Sequence, residues 1–197
     1  MAVHRIRVAE RHLAKADAVM AGLIAAHGPC TLDDARPAAP FRVLARSIVS
    51  QQLSTKAAET IAARVRSAIG GPIGPRRLLA VPPEALRGAG LSGAKVRYLL
   101  ELSRRVVAGE LDFAALAAVD DDAALASLTD IPGVGRWTAE MFLIFALGRL
   151  NVLALGDAGL RRAARSLYGV ESLAELEPRW QPYCSVASWY LWRAIDG

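Results

Sequence analysis

The chain has little cysteine and few aromatic residues. Its 197 residues include two cysteines, Cys30 and Cys184, and 6% aromatic side chains. Two thiols so far apart supply neither a thiolate metal site nor a disulfide framework. No run of about 18 uncharged apolar residues occurs, and the first ten residues lack the apolar core of a secretion signal. We therefore expect a cytoplasmic protein with no membrane span and two buried cysteines.

Alternating apolar and polar positions, which are typical of strands, are also scarce. The composition is 53% hydrophobic and rich in alanine, leucine and arginine, which favours helices. The sequence therefore predicts an all-α fold, with one domain or two tightly joined lobes. A formal net charge of +5 suits a polyanionic partner, although heavy arginine use in a GC-rich genome gives the same surplus.

Apolar residues at helical spacing predict a series of helices joined by short turns. Ser54 and Ser92 are placed to cap two of them, and Gly169 to end another. The residues before Phe41 are expected to pack as helix against the C-terminal helices. The main predicted helices cover 8–27, 41–50, 54–69, 93–108, 136–147, 157–168 and 182–195.

A tight turn of sequence Pro-Gly-Val-Gly lies between two of these helical patterns, within 128–140. Gly133 and Gly135 allow a positive φ and leave the backbone without side-chain cover. The next helix starts directly at the turn, so its first free N–H groups point outward. Such a helix N-terminus binds anions, for example a phosphate. An ordinary helix-turn-helix corner has the same pattern, so the turn alone leaves both interpretations open.

One carboxylate stands out after this turn. Asp157 lies 20 positions after Trp137, at the start of a helix whose first turns carry Arg161, Arg162 and Arg165. The amides and dipole of a helix N-terminus favour an ionised carboxylate, which suits an acceptor or electrostatic role better than an acid role. Plain N-capping also places aspartate at such a position.

The four tryptophans gather at two places. Trp137 directly follows the turn, and Trp180, Trp189 and Trp192 lie near the C-terminus. A last helix folded back toward the turn would let the rings form a slot for a flat base. A plain core role is the alternative, and we assign it to most of them.

These features, in this order, resemble a known family. Residues 131–139 (IPGVGRWTA) resemble the helix-hairpin-helix signature of the base-excision DNA glycosylases, the HhH-GPD superfamily, and most closely the AlkA-type 3-methyladenine DNA glycosylase II. The resemblance also covers 50–54 (SQQLS), 91–95 (LSGAK), Gly156-Asp157 with the helix after it, and the tryptophan-rich end. It spans about Phe41 to Arg193.

The resemblance implies an all-α, two-lobed fold with the active-site cleft between the lobes. The whole chain, 1–197, forms one glycosylase domain on this basis. Lobe A is expected at about 1–42 plus 158–197, and lobe B at about 43–157. The helix-hairpin-helix is expected at 122–147, within lobe B.

The resemblance also implies roles for individual residues. Asp157 matches the essential catalytic aspartate, and Gln52 matches the residue that wedges into the duplex where a nucleotide is flipped out. Trp137 and Trp192 match aromatic residues of the base pocket. Met141 stands where the AlkA-type enzyme has a pocket tyrosine, which leaves the base preference open.

The hairpin itself is implied to bind a phosphate and a cation. The amides of Gly133 and Gly135 would bind a phosphate of the damaged strand, with basic residues such as Arg136 and Lys95 nearby. In this family, carbonyl groups of the hairpin also hold a monovalent cation, Na⁺ or K⁺. The matching carbonyls here are those of Thr129, Ile131 and Val134.

Departures from the family pattern narrow the expected activity. Relatives that also cut the strand carry a lysine at the position of Trp137, so no Schiff-base nucleophile is expected. Relatives with an iron–sulfur cluster need four cysteines near the C-terminus, so no cluster is expected. The AlkA-type enzyme has an extra N-terminal domain for which this chain has no room.

The expected function is that of a monofunctional DNA glycosylase of base excision repair, without AP-lyase activity. It would flip out and hydrolytically release alkylated purines, of the 3-methyladenine and 7-methylguanine type, from double-stranded DNA. We expect a monomer acting at the cytoplasmic nucleoid. A glycosylase for deaminated bases (uracil, hypoxanthine), a noncatalytic DNA-binding hairpin module and a purely structural helical protein remain alternatives.

Overall fold

A computed structural model describes residues 2–32 and 39–196 of the chain. Helices dominate these residues and no β-strand occurs among them, which confirms the predicted all-α fold. No helix in the described part of the chain is long and apolar enough to cross a membrane. In chain order, the helices are α1 (Ala2–Ala16), α2 (Ala18–His27), α3 (Pro40–Ser50), α4 (Thr55–Ala68), α5 (Pro75–Leu79), α6 (Pro83–Gly88), α7 (Gly93–Val107), α8 (Phe113–Ala118), α9 (Asp121–Thr129), α10 (Arg136–Phe145), α11 (Ala158–Tyr168), α12 (Glu177–Trp180) and α13 (Cys184–Asp196), with a 3-10 helix at Leu173–Glu175.

The chain divides into two compact units. Unit 1 combines Met1–Arg36 with Leu143–Gly197, and unit 2 is Pro37–Phe142. Unit 1 therefore joins both ends of the sequence, whereas unit 2 is continuous. The division falls within α10, while the sequence analysis places the lobe boundary after residue 157.

Hydrogen bonds to α13 explain why residues 143–157 belong to unit 1. The Ser185 N–H donates to the Leu150 carbonyl at 3.0 Å. The Val152 N–H donates to Ser185 Oγ at 2.9 Å, and that hydroxyl lies 3.2 Å from the Val152 carbonyl. The connector before α11 is thus fixed to the last helix by buried polar contacts, which hydrophobic spacing does not encode.

The N-terminal helical region is broken at Asp17. The sequence analysis predicts one helix over 8–27, but Asp17 Oδ1 accepts from the N–H groups of Val19 (2.9 Å) and Met20 (3.1 Å) and so caps a new helix, α2. Its Oδ2 accepts from the Tyr168 hydroxyl and from Trp180 Nε1, both at 3.0 Å. Helices α1 and α2 pack against α12 and α13, as the sequence predicts.

Replacing Asp17 with alanine is expected to destabilise the protein by about 3 kcal/mol or more. The change removes an N-cap and leaves two donors, the partly buried Tyr168 hydroxyl and the buried Trp180 indole N–H, without their acceptor. Burial and the charge of Asp17 raise the pKa of Tyr168, so its hydroxyl keeps the proton that it donates. Urea unfolding measures the effect.

The matched control is Asp112→Ala, which removes the exposed N-cap of α8 and one bond, from the Ala114 N–H at 2.8 Å. We expect a cost of about 1 kcal/mol there. Equal costs for the two variants would contradict the role given to the Asp17 network.

In unit 2, α3 and the short helices α5 and α6 pack against α7, and α4 packs against α3 and α6. Leu44 and Ile48 of α3 and Leu99 and Leu102 of α7 are fully buried, at spacings of three and four residues that place each pair on one helix face. Both predicted serine caps are present, on α4 and on α7. This packing brings the turn after α3 and the start of α7 beside the glycine-containing turn.

Both cysteines are buried, as expected. Burial raises the pKa of the Cys184 thiol to about 12. The thiol therefore stays protonated near neutral pH and cannot serve as a nucleophile.

Candidate functional site

Asp157 lies where the sequence places it, at the N-terminus of a helix. Its Oδ1 atom accepts from the Leu160 N–H at 2.8 Å, which makes it the N-cap of α11. The same oxygen accepts from Trp192 Nε1 at 3.1 Å. The residue is only 8% exposed. Two N–H donors and the helix N-terminus thus stabilise negative charge on this carboxylate.

Trp192 is held in place by its neighbours as well as by Asp157. Its ring lies 5.7 Å from that of Phe145, with the planes tilted by 30°. A Cβ atom on Gly159 would lie 3.1 Å from Asp157 Oδ1 and 3.5 Å from Trp192 Cδ1, so glycine makes room for this contact. Gly159 is not among the residues predicted for the site, although a glycine in the first turn of a helix is a signal of close packing.

The other tryptophans occupy different environments. Trp180 is fully buried and binds Asp17, so it has the core role that the sequence assigns to most tryptophans. Trp189 packs edge-on against Tyr190 at 4.9 Å, and the Arg193 guanidinium lies 5.5 Å from its ring centre. Trp137 is 48% exposed, a large apolar surface for a ring in a helix's first turn.

Trp137 and Met141 lie one turn apart on α10. Residues at this spacing share a helix face, and Met141 is partly exposed. Two of the three residues that the resemblance assigns to the base pocket therefore present one apolar surface on unit 2.

The predicted hairpin lies between α9 and α10. The Val134 N–H donates to the Ile131 carbonyl at 3.0 Å and closes the turn. Gly133 has φ = +85°, and a Cβ there would overlap the ring of Tyr98. Gly135, where glycine allows a positive φ, does not adopt one, and no atom would lie within 4 Å of an added Cβ there.

The hairpin amides are available to a ligand. Within the described residues, the N–H groups of Gly133 and Gly135 donate to no protein acceptor. They lie just before the first turn of α10, whose dipole adds partial positive charge. Open space in front of Gly135 gives an anion close access to the backbone.

The turn that follows α3, residues 51–54, carries the predicted wedge. We call it the wedge turn. Gln52 is exposed and has φ = +58°, the one positive φ of a non-glycine residue among those described. Residues other than glycine in this region are strained, and such strain persists where the surrounding structure holds it in place.

Two side chains hold the wedge turn. Gln51 Nε2 donates to the Gly133 carbonyl at 2.7 Å, and Lys95 Nζ donates to the carbonyls of Val49 (2.8 Å) and Gln51 (2.7 Å). Gln51 thereby links the wedge turn to the hairpin. This role of Gln51 and Lys95 is not predicted from the sequence, because the contacts join residues that are 44 to 82 positions apart.

The two basic residues proposed as phosphate contacts, Arg136 and Lys95, have different partners in the structure. Lys95 points at carbonyl groups at the end of α3, and burial lowers its pKa. Arg136 Nε lies 2.9 Å from the buried Glu140 carboxylate, while the arginine side chain is 75% exposed. Arg136 therefore presents charge to solvent beside the hairpin, whereas Lys95 fixes the wedge turn.

The carbonyls implied for a cation belong to the same hairpin. Those of Thr129, Ile131 and Val134 are neutral, hard oxygen donors, which suit Na⁺ or K⁺ better than a transition metal. The Ile131 carbonyl also accepts the Val134 N–H, which leaves it a second lone pair. Among the described residues, no group of three His, Cys, Asp or Glu side chains is placed to hold a metal ion. The donor set thus fits a monovalent cation.

Comparison with known proteins identifies the family. The family model of the HhH-GPD superfamily base excision DNA repair proteins matches residues 45–179, and the chain belongs to this superfamily. An alkylbase DNA glycosidase-like protein of Schizosaccharomyces pombe is 29% identical over 196 residues, covering 94% of this chain and 92% of that protein. The predicted family is thereby confirmed.

Two solved structures support the same conclusion. A DNA-3-methyladenine glycosidase from Bacillus halodurans is 40% identical, with a TM-score of 0.76 over 87% of this chain and 86% of that one. The 3-methyladenine DNA glycosylase of S. pombe, in complex with abasic DNA, is 28% identical, with a TM-score of 0.81 over 96% and 97% of the two chains.

Proposed function

We propose that the protein is a monofunctional DNA glycosylase that flips alkylated purines out of duplex DNA and releases them by hydrolysis. The observation that carries the proposal is Asp157, a carboxylate fixed by the Leu160 amide and the Trp192 indole. Relatives named 3-methyladenine DNA glycosylases support the choice of alkylated purines. Double-stranded DNA with damaged bases is the partner.

The chemistry of the substrate suits this site. A purine alkylated at N3 or N7 is cationic, so its glycosidic bond is weakened and its departure needs little acid catalysis. The reaction needs instead a negative group near the sugar, where oxocarbenium charge develops. Asp157 would stabilise that charge and orient or deprotonate the attacking water.

Aromatic rings give the preference for an electron-poor base. Trp137 and Trp192 would stack with the extruded purine, and the cation–π attraction favours a positively charged ring over a neutral one by about 0.5–2 kcal/mol. Met141, on the same face of α10 as Trp137, would add a polarisable contact. No lysine stands at position 137 to form a Schiff base, so hydrolysis leaves an intact abasic strand.

The hairpin would hold the damaged strand. The amides of Gly133 and Gly135 would bind a phosphate, with Arg136 adding positive charge. The carbonyls of Thr129, Ile131 and Val134 would hold Na⁺ or K⁺, and that ion would add positive charge to the phosphate-binding hairpin. A monomer acting at the cytoplasmic nucleoid stays a prediction.

Gln52 would fill the gap that the flipped nucleotide leaves in the stack. We expect Gln52→Ala to weaken binding to a duplex with an abasic-site analogue roughly tenfold. The shorter side chain would no longer fill the gap between the base pairs on either side of the abasic site. Fluorescence anisotropy measures the affinity. The matched control is Gln52→Leu, which keeps most of the volume and should retain most of the affinity. Equal binding by the wild type and the alanine variant would contradict the wedge role.

A panel of single-lesion duplexes tests the proposed activity. Duplexes with 3-methyladenine, 7-methylguanine, uracil or hypoxanthine are incubated with the protein, and free base is quantified by chromatography. We expect release of the two methylated purines. Release of uracil or hypoxanthine alone would identify a glycosylase for deaminated bases. DNA binding without base release would identify a noncatalytic DNA-binding module. The absence of any salt-sensitive DNA binding would identify a structural protein.

A further inference from the structure

A cavity of about 820 Å³ lies between α3 and α4 in unit 2. Ser50, at the end of α3, and Leu53, in the wedge turn, line this cavity. Gln51 and Gln52 line a different cavity, of about 550 Å³, beside the hairpin. The wedge turn therefore separates two cavities. The hairpin cavity belongs to the site described above, but the cavity between α3 and α4 has no role there.

Three arginines line the cavity between α3 and α4. Arg42 and Arg46 lie one turn apart on α3, and Arg66 lies on α4; all three are exposed. We call these residues the arginine cluster. Among the described residues, none offers these guanidinium groups an ion pair or a hydrogen bond. Glu59 is the one acidic residue in the described lining, so positive charge predominates.

The base of the cavity is apolar. Val49, Ala62 and Ile73 line it and are each less than one-tenth exposed. Charges beside an apolar wall are screened less than charges in open water, so an anion in the cavity would be attracted more strongly. Arg42 and Arg46 also repel one another at their i, i+4 spacing. The cluster thus slightly destabilises the free protein, and a bound anion would remove that cost.

We propose that the arginine cluster binds backbone phosphates of DNA beside the wedge turn. Guanidinium groups match phosphate oxygens in bidentate geometry, and the cavity that they line also includes Leu53 of the wedge turn. The proposal rests on the proposed function, because it takes DNA as the ligand. It extends the DNA footprint from the hairpin to the other side of the wedge turn.

Salt-dependent DNA binding tests the cluster. Arg42, Arg46 and Arg66 are each changed to Gln, singly and together, and affinity for an abasic-analogue duplex is measured by anisotropy over a range of KCl concentrations. Each lost phosphate contact should lower the slope of log K against log [KCl] by about 0.9 and weaken binding roughly three- to tenfold at moderate salt. The matched control is Arg64→Gln, an exposed arginine of α4 that does not line the cavity.

The result separates local contact from the general effect of charge. The proposal is supported if the cluster variants lose slope and affinity while Arg64→Gln stays near the wild type. Equal losses in Arg64→Gln, or unchanged binding in the triple variant, overturn it. Absence of release in the wild type would instead count against the proposed function, whatever the cluster variants show.

Discussion

Asp157→Asn is expected to reduce release of alkylated bases by on the order of 10²–10³-fold. Asparagine has nearly the same shape and is an equally favourable N-cap, so its oxygen can accept the Leu160 and Trp192 N–H groups as Asp157 Oδ1 does. What disappears is the negative charge next to the developing oxocarbenium ion. Single-turnover release from methylated duplex DNA measures the loss.

Binding and stability serve as controls for this variant. Because the hairpin and the wedge turn are unaltered, the affinity for an abasic-analogue duplex should stay within about twofold of that of the wild type. The free energy of unfolding should change by no more than about 0.5 kcal/mol. Wild-type turnover in Asp157→Asn would overturn the catalytic assignment.

Gly133→Ala is expected to destabilise the hairpin by about 2–5 kcal/mol. A positive φ costs a residue with a Cβ about 1–2 kcal/mol, and Gly133 has φ = +85°. Overlap of the new Cβ with the Tyr98 ring adds about 1–3 kcal/mol. Relief of that overlap would displace the Gly133 carbonyl from Gln51 Nε2, so DNA affinity should fall as well.

Gly135→Ala is the matched control for this prediction. It adds the same methyl group two residues away, where the backbone has no positive φ and no atom lies within 4 Å. Urea unfolding should show a change of less than about 1 kcal/mol. Adding Tyr98→Ala to Gly133→Ala should recover only the part of the stability loss that comes from overlap with the Tyr98 ring. Equal stabilities of the two glycine variants would contradict the close packing inferred at the hairpin.

The local features of the fold could be predicted from the sequence. Hydrophobic spacing locates most helices, Ser54 and Ser92 cap the helices expected of them, and the Pro-Gly-Val-Gly turn lies between two helices. Each of these signals acts over a few residues, where side-chain chemistry and backbone conformation are directly coupled. The N-cap position of Asp157 belongs to the same class.

Features that depend on distant contacts could not be predicted. The break at Asp17 is stabilised by Tyr168 and Trp180, more than 150 residues away. The unit boundary depends on Ser185, and the direction of Lys95 depends on carbonyls at the end of α3. Residue spacing carries no information about such pairs. The backbone conformation of Gly135 could not be predicted either, since a glycine allows a positive φ but does not require one.

Product analysis on a duplex with one 3-methyladenine tests the central claim most directly. After incubation with the protein, chromatography detects the free base, and a denaturing gel shows the strand before and after mild alkali. We predict free 3-methyladenine together with a strand that stays intact until alkali cleaves it at the abasic site. An unreleased base, or a strand cut without alkali, would contradict the account of Asp157 as the catalytic carboxylate of a monofunctional glycosylase.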